Sequence, residues 1–166
     1  MSTELEHGAV DALDAQWRGG WRGRGFEPCC TPDVSYEDPI AVEPLRGVDG
    51  LDRHAATLRG AFPDLRVEAT AAPLVRGEHA CVPWRATGTH RGDIGTVLPA
   101  TDRFVALHGL HYLELSDGAV RRARGFFDLY DAAMQLGLLP ARGGAGEAAL
   151  LMLRDFGLRR RPPTWP

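Results

Sequence analysis

Apolar residues recur along this chain with two periods, and the changes of period mark its elements. Leu5, Val10, Leu13 and Trp17 recur at near-helical spacing and predict an amphipathic helix over residues 4–22, weakened at its end by Gly19, Gly20 and Gly23. Pro32 and Pro39 then bracket a short strand, "PDVSYEDP", with Val34, Tyr36 and Asp38 on one face and Ser35 and Glu37 on the other. In "GVDGLDRHAATLRGAFPDL", Leu51, His54, Leu58 and Phe62 approximate one helical stripe that Pro63 ends. "LRVEATAAPLVRG" and "HACVPWRATGTH" read as strands about a turn at Gly77-Glu78, and Gly92 to Pro99 as a loop. "RFVALHGLHYLEL" and "AVRRARGFFDLY" form the clearest hairpin, joined at Asp117-Gly118. A helix follows from Leu129 to Leu136 and stops at Gly137. After the link "ARGGAG", a last helix, "EAALLMLRDFGL", is expected to bury Leu150 and Leu153. This order is an α+β pattern, and a strongly curved antiparallel sheet with helices on one side makes a cone around a pocket.

Composition narrows the chemistry. A chain of 166 residues that is 44% hydrophobic suits one domain with a sizeable core. No apolar run approaches the ~18 residues of a membrane span, and the acidic start "MSTELEHGAV" does not read as a secretory signal. With a net charge of -3, nothing suggests a nucleic-acid surface, and Arg159 to Arg161 sit in a Pro-rich tail. Cys29, Cys30 and Cys81 are odd in number and two are adjacent, which fits a reduced cytoplasmic protein; no metal-ligand spacing is present. The chain has no lysine and no asparagine, so Schiff-base chemistry is excluded, and no Walker, GxGxxG or GxSxG motif appears. His, Asp, Glu, Tyr, Cys and Arg remain.

Several of these fall where chemistry could occur. Asp128 heads the helix after Phe126 and Phe127, a favoured N-cap position. It also alternates in phase with Val120, Arg122, Arg124 and Phe126, which would give a pocket-facing carboxyl an apolar neighbour and a cationic one. From the residues alone the cap is the stronger reading. His90 shares a strand face with Val82, Trp84, Ala86 and Gly88, so Trp84 offers an aromatic wall and His90 a donor or base. His108 and His111, three apart on one strand, face opposite ways and cannot readily share a metal. Both faces are apolar, so parity does not choose between them; His108, in phase with Phe104, is preferred for the pocket. Tyr36 and Asp38, near the helix carrying His54, could bind an enol or carbonyl oxygen or poise a water, although Asp38 before Pro39 also suits a turn. Cys81 reads as packing and Asp131 as a solvated helix residue.

The segments "YEDP", "RGVDGLDRHAATLRGAFPDL", "WRATGTHRGDIGTVLPATDRFVALHGLHYLELSDGAV" and "GFFDLYDAAMQLGLLP", in this order, resemble the SnoaL-like polyketide cyclases of the nuclear-transport-factor-2-like superfamily. The resemblance covers residues 5 to 140 and implies a domain over 1–140, with 141–166 as link, extra helix and tail. It implies a cone-shaped α+β barrel, a homodimer, no cofactor and a small polyketide-like or aromatic substrate, as in antibiotic and other natural-product biosynthesis. It also implies an acid/base aspartate late in the last strand of an aldol-type cyclase, which tips the reading of Asp128 toward that role. Where the family often has a His-Trp pair, this chain has Ala123 and Arg124. The expected site is therefore Asp128 as acid/base, with His90 or Tyr36 donating to the oxygen that gains charge. Trp84, Phe104, Phe126, His108, Arg124, His54 and Asp38 would surround the substrate. Two alternatives stand beside it: opening of an epoxide, with Asp128 or Asp38 activating the nucleophile, and non-catalytic binding of a natural product.

Overall fold

The computed structural model describes residues 2–41, 43–95 and 98–157. Helix α1 (Ser2–Gly19) leads into a widened π-turn, Gly20–Arg24, and a 3-10 turn, Glu27–Cys29. Strand β1 (Cys30–Glu37), the two-residue β2 (Leu45–Arg46) and helix α2 (Gly47–Ala61) follow. The chain then makes β3 (Arg66–Ala69), β4 (Leu74–Arg76), β5 (His79–Thr89), β6 (Phe104–Ser116) and β7 (Ala119–Phe127). Helices α3 (Leu129–Gln135) and α4 (Ala145–Gly157) end the described chain. No described helix is long and apolar enough to cross a membrane.

The seven described strands form one curved, unclosed sheet of order β2-β1-β7-β6-β5-β3, with β4 pairing β5. Only β1 and β7 run parallel; the other pairs are antiparallel. The two turns expected at Gly77-Glu78 and Asp117-Gly118 connect β4 to β5 and β6 to β7. Positive φ at Asp117 and at Gly118 is what a two-residue hairpin turn requires. The strand expected over residues 65–77 divides into β3 and β4, interrupted around Pro73.

The concave face carries the core. Leu13 and Trp17 of α1, Trp21, Phe26, Leu51 and Ala55 of α2 pack on Val34, Tyr36, Val82, Trp84, Leu113 and Val120 of the sheet. On β5 the even residues point inward, as the alternation predicts. On β6 the odd residues do so, which puts Val105, His111, Leu113 and Leu115 inside. β7 breaks the simple alternation. Leu115 pairs with Val120 but Glu114 with Arg122, so Arg121 is an extra residue, a β-bulge. The bulge lets Val120 and Ala123 both face the core and turns Arg122, Arg124 and Phe126 outward.

Helix α3 closes one side of the cone. It is held by the Gln135 amide, which pairs with β6 like a strand neighbour: Oε1 accepts from the Ala106 N–H at 2.8 Å and Nε2 donates to the Ala106 carbonyl at 3.0 Å. The last helix, α4, leaves Leu150 half exposed, contrary to its expected burial. Its Leu153 side chain and the tail with Arg159 to Arg161 lie outside the described residues.

One close approach tests this architecture. Gly109 of β6 pairs directly with Trp84 of β5, and the indole lies across the glycine. A Cβ at Gly109 would come within 2.3 Å of the Trp84 ring and 2.5 Å of the Phe126 carbonyl oxygen, which is backbone. Gly109→Ala should destabilise the fold by about 2–3 kcal/mol, read as a lower urea midpoint at unchanged slope. An unchanged midpoint would mean that the sheet yields here without cost.

Candidate active site

Inside the cone lies a cavity of about 250 Å³. Its walls are almost wholly apolar: among others Trp21, Leu58, Phe62, Val67, Trp84, Leu107, Phe127 and, from α3, Leu129, Ala132 and Leu136. Three hydrogen-bonding side chains gather at one corner: Tyr36, Asp38 and His111. Strand β1 supplies the first two by its alternation, Tyr36 inside the strand and Asp38 one residue beyond its end. β6 supplies the third.

The corner is one hydrogen-bonded chain. His54 Nε2 lies 2.7 Å from Asp38 Oδ2, and the Tyr36 hydroxyl donates to the same oxygen at 3.1 Å. The Tyr36 oxygen lies 3.5 Å from His111 Nε2. Asp38 Oδ1 accepts the backbone N–H groups of Ile40 (2.9 Å) and Ala41 (2.7 Å). The Asp38 side chain is 2% exposed and that of His54 14%, so the chain runs from near the surface into the core. Burial alone would raise the Asp38 pKa, but the bonds and charge of His54 and the two backbone donors outweigh it, and the carboxyl lies below its usual range. Burial, with the Asp38 charge, pushes the Tyr36 phenol well above its usual value, so it stays a neutral donor. Burial pulls the His111 imidazole down to about 3, against the weaker pull of Asp38, so His111 is neutral at pH 7.

Aromatic rings hold this imidazole. Trp21 stacks on it at 5.3 Å with planes 4° apart, Trp84 covers it at 5.3 Å and 32°, and Trp17 meets it edge-on at 5.5 Å. Gly125 of β7 lies behind; a Cβ there would fall 2.7 Å from the Tyr36 hydroxyl and 3.4 Å from His111 Cδ2. No group of three or more His, Cys, Asp or Glu is placed to hold a metal ion among the described residues.

The expected residues divide. Tyr36, Asp38 and Trp84 line the cavity, and His54 supports it through Asp38. Asp128 does not reach it. Its Oδ1 accepts the Asp131 N–H at 2.9 Å, the N-cap of α3, while its Oδ2 pairs with Arg142 at 3.2 Å. The side chain is 54% exposed, and the cap bond, with Arg142, lowers its pKa. The β7 bulge places Arg124 on the outer face, bonded to Glu37 at 3.0 Å, and leaves Phe126 46% exposed. Phe104 (61% exposed) and His108 are on the outer face of β6, opposite His111. His90 is fully buried but outside the cavity wall: its Nδ1 accepts the Thr101 N–H at 3.2 Å and its ring packs on Phe62. His111, which sequence reasoning ranked below His108, lines the cavity, as do Trp21 and Phe127, which it did not name for the site. No signal within β6 singles out His111, because the opposite face with Phe104, Ala106, Leu110 and Tyr112 is apolar as well.

A buried neutral imidazole has a consequence for stability. Between pH 6.5 and about 3 the unfolded His111 binds a proton and the native one does not, so stability rises with pH across that window and is lost as pH falls. Asp38 adds its own loss from about pH 4 downward, where the unfolded carboxyl takes a proton that the depressed native one does not yet take. His111→Phe should therefore flatten the decline in urea midpoint between about pH 6.5 and 4.5, where Asp38 stays ionised. An equally steep decline in the variant would place the acid sensitivity elsewhere.

Comparison with known proteins agrees with this architecture. The family model of the SnoaL-like polyketide cyclases matches residues 8–136. No curated protein matches the chain. Among solved structures, a candidate SnoaL-like polyketide cyclase from Jannaschia sp. CCS1 is 26% identical, with TM-score 0.61 over 75% of this chain and 81% of its own. TsrD from Streptomyces laurentii is 23% identical, with TM-score 0.69 over 80% and 97%. A protein of ketosteroid isomerase-like fold from Catenulispora acidiphila is 15% identical, with TM-score 0.63 over 75% and 92%. With its cone-shaped α+β fold and a family match across most of its length, this chain belongs to the SnoaL-like polyketide cyclase family.

Proposed function

We propose that the protein closes a ring in a polyketide-like or aromatic intermediate by an intramolecular aldol reaction, with Asp38 as the base. The observation that carries this reading is the convergence of Asp38, Tyr36 and His111 at one corner of an otherwise apolar cavity. An ionised carboxylate lies 3.1 Å from a neutral phenol, which lies 3.5 Å from a neutral imidazole. Neutral donors in an apolar, water-poor site stabilise an oxygen that gains charge during the reaction. Asp38 takes a proton from a carbon activated by flanking carbonyls, and the electron pair moves onto the carbonyl oxygen as an enolate. The Tyr36 hydroxyl, turning from Asp38 Oδ2 and so freeing a lone pair there for the proton, donates to that oxygen together with the His111 Nε2–H. The enolate carbon then bonds to a second carbonyl carbon of the same molecule, and the alkoxide so formed takes the proton back. The product is an isomer of the substrate. A carboxylate with a depressed pKa is a weak base, which suits only such acidic C–H bonds. The flat walls Trp84, Trp21 and Phe127 fold the substrate toward closure.

Epoxide opening is less well supported, because the arginine that would assist it, Arg124, is engaged with Glu37 on the outer face. Enolisation can be measured without the natural substrate, as deuterium wash-in at the central carbon of 2-acetyl-1-tetralone in D2O, followed by NMR. Asp38→Asn should slow catalysed wash-in by roughly 10²–10⁴-fold, and Asp128→Asn should leave it within about twofold. The reverse pattern would return the acid/base role to Asp128. Binding of the diketone with no catalysed exchange in the native protein would favour the non-catalytic reading.

A further inference from the structure

Trp21 touches three of the four members of the hydrogen-bonded chain. Its ring stacks on His111, lies 5.4 Å from Tyr36 and meets His54 edge-on at 6.2 Å. It is 5% exposed and sits in the π-turn that ends α1 rather than in regular helix. Such widened turns are rare and recur at functional sites.

This turn has its own supports. Arg59 of α2 reaches across and donates to the carbonyls of Gly20 and Trp21, each at 3.4 Å. Its side chain lies over Gly23, whose φ of 94° is a left-handed conformation that glycine adopts freely. Gly20 is equally constrained: a Cβ there would sit 2.4 Å from the Phe26 ring. The indole N–H groups of Trp17, Trp21 and Trp84 are buried without an acceptor among the described residues. A core selected for stability alone would use Phe or Leu and avoid these unpaired donors.

We propose that Trp21 is a positioning residue: the π-turn, latched by Arg59, sets its indole against His111 and so aims Nε2 at the Tyr36 hydroxyl. The effect on turnover rests on the donor role of His111 proposed above; the effect on the imidazole does not. The titratable groups that face His111 are Tyr36 and Asp38 from β1, with His54 of α2 behind Asp38. The packing from the π-turn, α1 and β5 is Trp21, Trp17 and Trp84, and from β7 it is Gly125.

The experiment is imidazole nitrogen NMR of the 15N-labelled full chain from pH 3 to 8, with diketone wash-in measured in parallel. Native His111 should hold one neutral tautomer until the pH nears 3. In Trp21→Leu the tautomer should average and its titration move up by about a unit or more, with wash-in down roughly tenfold. Arg59→Gln, outside the cavity wall, should move the same signal less far, and it decides alone if Trp21→Leu does not fold. Leu51→Ala, which only weakens the core, should leave the imidazole signal in place. An unmoved His111 signal in the folded Trp21 and Arg59 variants would overturn the proposal, as would an equal shift in Leu51→Ala. A moved signal with unaltered wash-in would uphold the positioning and refute the donor role of His111 instead.

Discussion

The site depends on keeping polar groups inside an apolar cone. Each buried polar group is costly unless it is paired, so the four side chains stand or fall together. Asp38 is the node: its two oxygens accept from His54, Tyr36, Ile40 and Ala41. That saturation keeps a 2%-exposed carboxylate ionised, and burial together with this charge keeps Tyr36 a neutral donor. His111 is the far end, where burial holds protonation off until the pH nears 3.

Space for this arrangement comes from what the sheet leaves out. Gly109 lets the Trp84 indole lie across β6, and Gly125 lets the Tyr36 hydroxyl approach β7. The bulge at Arg121 rotates β7 so that Arg122 and Arg124 bond Glu37 outside and its small residues face the site. Among the described residues, cationic side chains are thus kept from the cavity, and the formal charge on its wall is the Asp38 carboxylate. A cavity of this kind selects flat, largely uncharged ligands and lets the polar corner decide their orientation.

Membership of the SnoaL-like family supports an enzyme with a small-molecule substrate, and the corner holds the groups proposed above for its acid/base chemistry. Those groups are different residues from the ones the family resemblance implied. The aspartate at the end of β7 caps α3, and the carboxylate in the cavity belongs to the end of β1. A helix start directly after a strand makes an aspartate there a cap, because its side chain satisfies a backbone N–H that would otherwise lack a partner.

What the sequence by itself determined was local. Alternation in β5 put Trp84 on the inner face, and alternation in β1 put Tyr36 and Asp38 together. The glycine-centred turns, the helical stripe with His54 and the order of elements were equally legible, because each follows from neighbours a few positions away. Only the tertiary structure decided the rest. β6 is apolar on both faces, so nothing within the strand says that His111 faces inward and His108 outward; α1, the π-turn and β5 decide it by packing their indoles on one side. One inserted residue in β7 reversed the phase that would have carried Arg124 and Phe126 inward, and an insertion of that kind shows only in the pairing with β6. The contacts that make the site span 16 positions between His54 and Asp38 and 75 between Tyr36 and His111. Pairings at that distance are set by how faces pack, not by the period along any one segment.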